Sequence, residues 1–180
     1  MFGKRHKVFV SYHHSNDQLY RDQFERLFGN IHDIIVTRSV QIGDINPYLK
    51  TETIRQKIRD EYLRDSTVTV VLIGSETWKR KHVDWEIGSS IRHTHLNHRS
   101  GLLGIFLPSY PMAFGRYNPK TIPPRLYKNV ECGYAKLYNW STNPYEVQQW
   151  IDTAFNDRKI KLPDNSLLSF SNNRSGNQWQ

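Results

Sequence analysis

A charge-free, β-branched run over residues 67–73, Thr-Val-Thr-Val-Val-Leu-Ile, is followed by a Gly-Ser-Glu-Thr turn and then by a helical pattern. A run of this kind predicts a strand buried on both faces, as in a parallel sheet, feeding a crossover helix. In the segment that follows, Val83, Ile87 and Ile91 fall on one stripe and predict a helix over about residues 81–97. The same alternation runs along the chain. Residues 7–11 predict a first strand, and residues 18–28 a helix capped by Ser15, Asn16 or Asp17 and stopped by Gly29-Asn30. Residues 33–37 predict a weaker second strand. Residues 38–50 carry no period and contain Gly43-Asp44 and Asn46-Pro47, which predicts a long loop of the kind that is usually functional.

Ile54, Ile58 and Tyr62 mark a helix over 51–63, residues 102–107 a fourth strand, and 134–138 a fifth. Val147, Trp150, Ile151, Ala154 and Phe155 mark a last amphipathic helix. Strands alternating with helices imply an α/β three-layer sandwich around a mainly parallel sheet, with the flavodoxin-like order 2-1-3-4-5. The expected organisation is one domain over 1–162 and a Ser- and Asn-rich tail over 163–180 that lies over the surface or is loose.

Composition narrows the class. Apolar residues make up 37% of the chain and aromatics 13%, which fits a folded domain. No apolar run approaches the length of a membrane span, and the amino terminus leads straight into a strand without a signal-like apolar stretch. The single cysteine, Cys132, excludes an internal disulfide and fits a reducing cytoplasm. A net charge of +8 favours anionic partners. The basic residues are scattered, however, and the densest group, Lys79-Arg80-Lys81 with His82, borders the strand end. Without a zinc finger, an RNP-type motif or a basic helical stripe, a nucleic-acid partner is not expected, and a phosphorylated small molecule is the better candidate.

In parallel α/β sheets ligands gather at the carboxyl ends of strands. Glu86 stands one turn into the helix after strand three, at a boundary position beside the apolar stripe, with Trp78 and Trp85 as candidate walls. A carboxylate there would be partly desolvated, whereas the bland alternative is a surface carboxylate paired with Lys79, Arg80 or Arg92. His13 projects from the end of strand one and is a candidate substrate contact. His93, His95 and His98 could ligate a metal, but i and i+2 positions diverge on a helix, so no metal is expected from them. A serine hydrolase built on Ser11 or Ser75 lacks the GxSxG elbow, and neither GxGxxG nor a Walker loop is present.

Four segments, Val-Phe-Val-Ser-Tyr-His-His, Val-Thr-Val-Val-Leu-Ile-Gly-Ser-Glu-Thr-Trp, Val-Asp-Trp-Glu-Ile and Gly-Leu-Leu-Gly-Ile-Phe-Leu, occur in order over residues 5–107. Together they resemble the TIR-like domains of bacterial Thoeris anti-phage systems. The resemblance implies an enzyme that cleaves the nicotinamide–ribose bond of NAD and makes a cyclic or conjugated ADP-ribose signal for a separate effector. It implies no cofactor beyond NAD as substrate, a phage component as trigger, and self-association as a further partner mode. It assigns the catalytic role to Glu86. Phe9, Ser11, Tyr12 and His13 at the end of strand one, Arg38, Ser39 and Asp44 after strand two, and Trp78 would line the substrate cleft. His82 stands where many relatives carry an aromatic residue. The rival readings are a TIR-like interaction module without catalysis and, more distantly, a nucleic-acid-binding α/β domain.

Overall fold

In the computed structural model, which describes residues 5–38 and 48–180, strands and helices alternate as the hydrophobic pattern implies. The strands are β1 (His6–Ser11), β2 (Ile35–Arg38), β3 (Val68–Ile73), β4 (Gly101–Phe106) and β5 (Ala135–Asn139). The helices are α1 (His14–Phe24), α2 (Thr51–Lys57), α3 (Lys81–Ser90), α4 (Pro124–Glu131) and α5 (Pro144–Ile160). All strand pairs are parallel and the order is β2-β1-β3-β4-β5, the expected flavodoxin-like topology.

The two-residue period of the strands divides the core into two layers. Val8, Val10, Val68, Val70 and Leu72 face one way and pack with Phe24 and Phe28 of the α1 rod and with Val147 and Ile151 of α5. Val71 and Ile73 face the other way, onto Val83 and Ile87 of α3 and Leu126 of α4. Phe9 joins Ile54, Ile58, Leu63 and Trp85 on that second side. Ser11 follows Phe9 by two residues, so its side chain is directed to the same side, toward α3.

Three boundaries differ from expectation. The first helix begins at His14, because His13 caps it: its Nδ1 accepts from the Asn16 amide at 3.2 Å. The three predicted caps therefore lie inside the helix, and Asp17 is buried. Gly29-Asn30 does not stop the rod, which continues as a wider-wound turn over Glu25–Ile31. The chain leaves it at Asp33, whose φ of 52° is the left-handed geometry that Asp tolerates. Helix α3 ends at Ser90, well before residue 97, because the Ser90 carbonyl accepts the Ser100 amide at 2.8 Å and turns the chain back into β4. His93, His95 and His98 accordingly lie in a connecting loop.

The segment after α5 is fastened to the domain. Phe170 is buried, its amide donates to Asp84 at 3.0 Å, and its carbonyl accepts from the Trp85 indole at 2.8 Å. Asn165 bonds Arg125 and the Gly88 carbonyl, and the Trp179 indole donates to Ile122 at 2.8 Å. At the centre of these contacts, Arg125 and Asp84 form an ion pair at 2.8 Å with side chains 1% and 2% exposed. Removing one partner of such a pair leaves an uncompensated buried charge. Asp84→Ala is therefore expected to lower unfolding free energy by about 3–5 kcal/mol in denaturant titration and to open the 163–180 segment to limited proteolysis. Unchanged stability would show that the pair does not hold the segment.

Candidate functional site

β1 ends beside the first turns of α1 and α3, and this junction concentrates the chain's buried polar side chains. Ser11 is fully buried at the end of β1 and its Oγ donates to Glu86 Oε2 in a short hydrogen bond. Glu86 is only 2% exposed, so the boundary position read from its helical phase is in fact interior. The reason is local. His82 lies one turn earlier on the same face of α3, and His14 at the start of α1 brings its ring to within 4.7 Å of the His82 ring. Among the described residues no Lys or Arg is ion-paired to Glu86: Lys79 pairs with Glu76 at 2.7 Å and Arg92 with Glu52 at 3.6 Å. Burial without a counter-ion pushes the Glu86 carboxyl up to about 8, against a smaller opposing effect of the Ser11 hydrogen bond.

The imidazoles respond in the opposite direction to the same desolvation. His82 is driven down to about 3 and His14 to about 4, with His13, Arg80 and other neighbouring cations adding to the effect of burial. The His82 Nε2 lies 3.1 Å from the Tyr12 carbonyl, which fixes the ring. Tyr12 is buried, its hydroxyl donates to Gln18 at 2.7 Å, and its ring packs 4.5 Å from His14. Around one carboxyl group there are thus a hydroxyl donor, two neutral imidazoles and a phenol.

Of the other expected site residues, Phe9 is fully buried in the layer beneath α2 and α3. Trp78 is buried in the short turn Thr77–Lys79 before α3, while Trp85 packs on the Phe9 side and reaches the Phe170 carbonyl. His13 is buried and serves as the α1 cap. Arg38 is exposed at the end of β2, in register with Phe9. Ser39 and Asp44 lie outside the described residues.

Four residues at or beside this end of the sheet carry roles that strand and helix patterns did not single out. His14 and His82 flank the carboxyl group; the His82–Glu86 spacing of one helical turn was the available signal. Asp17 is 2% exposed and its carboxylate is pressed against Gly74, where a Cβ would overlap both carboxylate oxygens. Thr77 and Ser109 hydroxyls reach Asp17 at 3.5 Å, tying α1 to the loops after β3 and β4, and burial raises its pKa. Arg80, just before α3, has a buried Nε without a hydrogen-bond partner and no carboxylate partner among the described residues.

Two cavities lie elsewhere on the sheet, and neither is lined by Glu86. One of about 520 Å³ lies at the carboxyl ends of β4 and β5, walled by Phe106, Tyr110, Met112 and Trp140. The other, about 370 Å³, lies at the opposite end of the sheet between His93, His98, Arg99, Arg158 and Lys159. The His14, His82 and Glu86 donor atoms all lie within 4.8 Å of one another and could hold a metal ion.

A family model described as Thoeris protein ThsB, TIR-like domain, matches residues 9–111, more than half of the chain. The chain belongs to this family. The matched stretch runs from β1 to just past β4 and takes in Ser11, His14, Asp17, Arg80, His82 and Glu86. Helix α4, strand β5 and helix α5 complete the Thoeris TIR-like sheet beyond it. No curated protein matches the chain. Among the described residues no helix is long and apolar enough to cross a membrane.

The site makes a pH signature. His14 and His82 protonate near 6.5 when unfolded and far lower when folded, so they cost stability as pH falls below about 6.5. Glu86 ionises near 4.5 when unfolded but about 8 when folded, so it costs stability as pH rises toward about 8. Two histidines outweigh one glutamate below 6.5, and the glutamate acts alone above it. Urea midpoints of metal-free protein should therefore peak near pH 6.5, and Glu86→Gln should abolish the alkaline fall while keeping the acid one. An alkaline fall that survives in Glu86→Gln would assign the raised pKa to another group.

Proposed function

We propose that this Thoeris TIR-like protein cleaves the nicotinamide–ribose bond of NAD at Glu86 and releases nicotinamide. The observation that carries the reading is a fully buried carboxyl group at the carboxyl end of the sheet, hydrogen-bonded by Ser11 and without a cationic partner among the described residues. Glycoside hydrolysis ordinarily needs two carboxyl groups, because an alkoxide leaves poorly without a proton. Nicotinamide is already cationic in NAD and leaves as a neutral base, so one carboxylate that steadies the oxocarbenium-like ribose suffices.

The desolvation that keeps Glu86 protonated in the free protein is what a positively charged ring would relieve. As the nicotinamide cation approaches, the ionised carboxylate becomes the favoured form and its proton leaves to solvent. Ser11 holds the carboxyl in place, His14 and His82 remain neutral and do not repel the sugar cation, and the low-dielectric setting strengthens the charge contact. Arg80, whose buried Nε has no partner among the described residues, is suited to the pyrophosphate. Capture of the ribosyl cation by a hydroxyl or base of the same molecule, or by an external nucleophile, gives a cyclic or conjugated ADP-ribose signal for a separate effector. A phage component as trigger and self-association as the activating step belong to the same proposal.

The test is nicotinamide release from NAD by purified protein, with and without extract of phage-infected cells. Glu86→Gln is expected to lower turnover by roughly 10²–10³-fold and Ser11→Ala by about 10-fold. Because the ionised form is required, kcat/KM should rise with pH, reach half its maximum near 8, the value for the free protein, and level off above it. Wild-type turnover in Glu86→Gln sinks the assignment. NAD binding without release in activated extract would make the protein an adaptor.

A further inference from the structure

We propose that His14, His82 and Glu86 form a binding site for a zinc-class divalent cation, and that the bound ion holds the protein inactive by occupying Glu86. The inhibitory consequence rests on the catalytic reading of Glu86; the binding site itself does not.

The donor set comes first. Two imidazole nitrogens and one carboxylate oxygen suit Zn²⁺ and its neighbours, and are a poor match for Mg²⁺ or Ca²⁺, which want oxygen ligands. His82 and Glu86 stand four residues apart on α3 and so share a face, and His14 meets them from the first position of α1. The three donor atoms lie within 4.8 Å of one another. Ligands of a tetrahedral zinc ion at ~2.0–2.1 Å stand about 3.4 Å apart, so modest side-chain rotation closes the site.

The surroundings are those of a ligand shell. Metal-bound imidazoles characteristically donate their other N–H to a carbonyl or carboxylate. His82 has that partner already: its Nε2 is 3.1 Å from the Tyr12 carbonyl, which leaves Nδ1 with the lone pair. Ser11 donates to Glu86 Oε2 and leaves Oε1 available. His14 and His82 are half-buried, so the ion has an approach, and three protein ligands leave a fourth position open. Two features oppose a cation, the positive ends of α1 and α3 and the charge of Arg80, which acts on both imidazoles. The Glu86 carboxylate offsets part of this, and the remaining field favours an anionic fourth ligand such as chloride. An ion so placed would tie up the carboxyl group that Ser11 holds and fill the space a ribose would need.

The full chain is stripped with chelator, desalted and titrated with Co²⁺, which reports a four- or five-coordinate nitrogen–oxygen site by its visible absorption, and then with competing Zn²⁺. The expected result is one ion per chain, with affinity at least about 100-fold weaker in His14→Ala and in His82→Ala. The paired variant His93→Ala, His98→Ala, which removes the exposed ring pair 5.1 Å apart, should bind as wild type. Melting curves of each metal-free variant identify any that fail to fold. If His82→Ala does, His14→Ala decides. Binding lost only in the His93, His98 variant, or no stoichiometric binding, overturns the site. Separately, Zn²⁺ should suppress nicotinamide release with a midpoint at its dissociation constant, reversed by excess chelator. Saturating Zn²⁺ that leaves release unchanged overturns the inhibitory role. Absence of release in chelator would count against the catalytic reading while the Co²⁺ spectrum still decides the site.

Discussion

A carboxyl group taken out of water with one hydroxyl to hold it is the constraint around which this end of the molecule is arranged. Helix α3 buries two acids two residues apart and treats them differently. Asp84 faces Arg125 in a bidentate pair. Glu86 faces Ser11 and the imidazoles and keeps its proton. The first arrangement fixes the helix against α4 and the 163–180 segment, so that the second can remain uncompensated without the helix shifting to find water. A buried group short of a partner persists only where its surroundings are over-determined. Here the determining contacts are behind the helix, on the side away from Glu86.

The order and direction of the strands were legible in the sequence because fully buried parallel strands read as unbroken apolar runs. The two-residue period then sends Ser11 to the α3 side without further information. Glu86 was legible as a candidate from its place one turn into the helix after β3, beside that helix's apolar stripe. Its depth was not. Helical phase places a side chain relative to its own stripe, whereas His14 arrives from a different element, more than sixty residues away in the chain. The ends of α1 and α3 were missed on comparable grounds: the Ser90 carbonyl is claimed by Ser100, and the α1 cap is a histidine, a type that cap preferences rank low. Ser39 and Asp44 fall outside the described residues, so their part in the cleft still rests on family resemblance.

Basic groups stand at both ends of the sheet. At the carboxyl end, Arg80, its buried Nε without a partner among the described residues, stands beside groups that are neutral in the folded protein. At the amino end, Arg99 and Arg158 donate to each other's backbone carbonyls at 2.9 and 3.2 Å, which holds two like charges side by side next to His93, His98 and Lys159. Neither end resembles a stripe that would track a nucleic-acid backbone. Of the two cavities, the one at the amino end is lined by basic side chains and the one at the carboxyl ends of β4 and β5 by none.

The contact between Asp17 and Gly74 has a genetic corollary. With the Asp17 carboxylate where it lies, a methyl group at position 74 would overlap it, so the acid must shift before the turn can carry one. Drift at either locus is thereby yoked: a methyl group at the turn becomes admissible only in a lineage that has already shortened or withdrawn the acid. Natural descendants of this chain should change codon 74 only after codon 17.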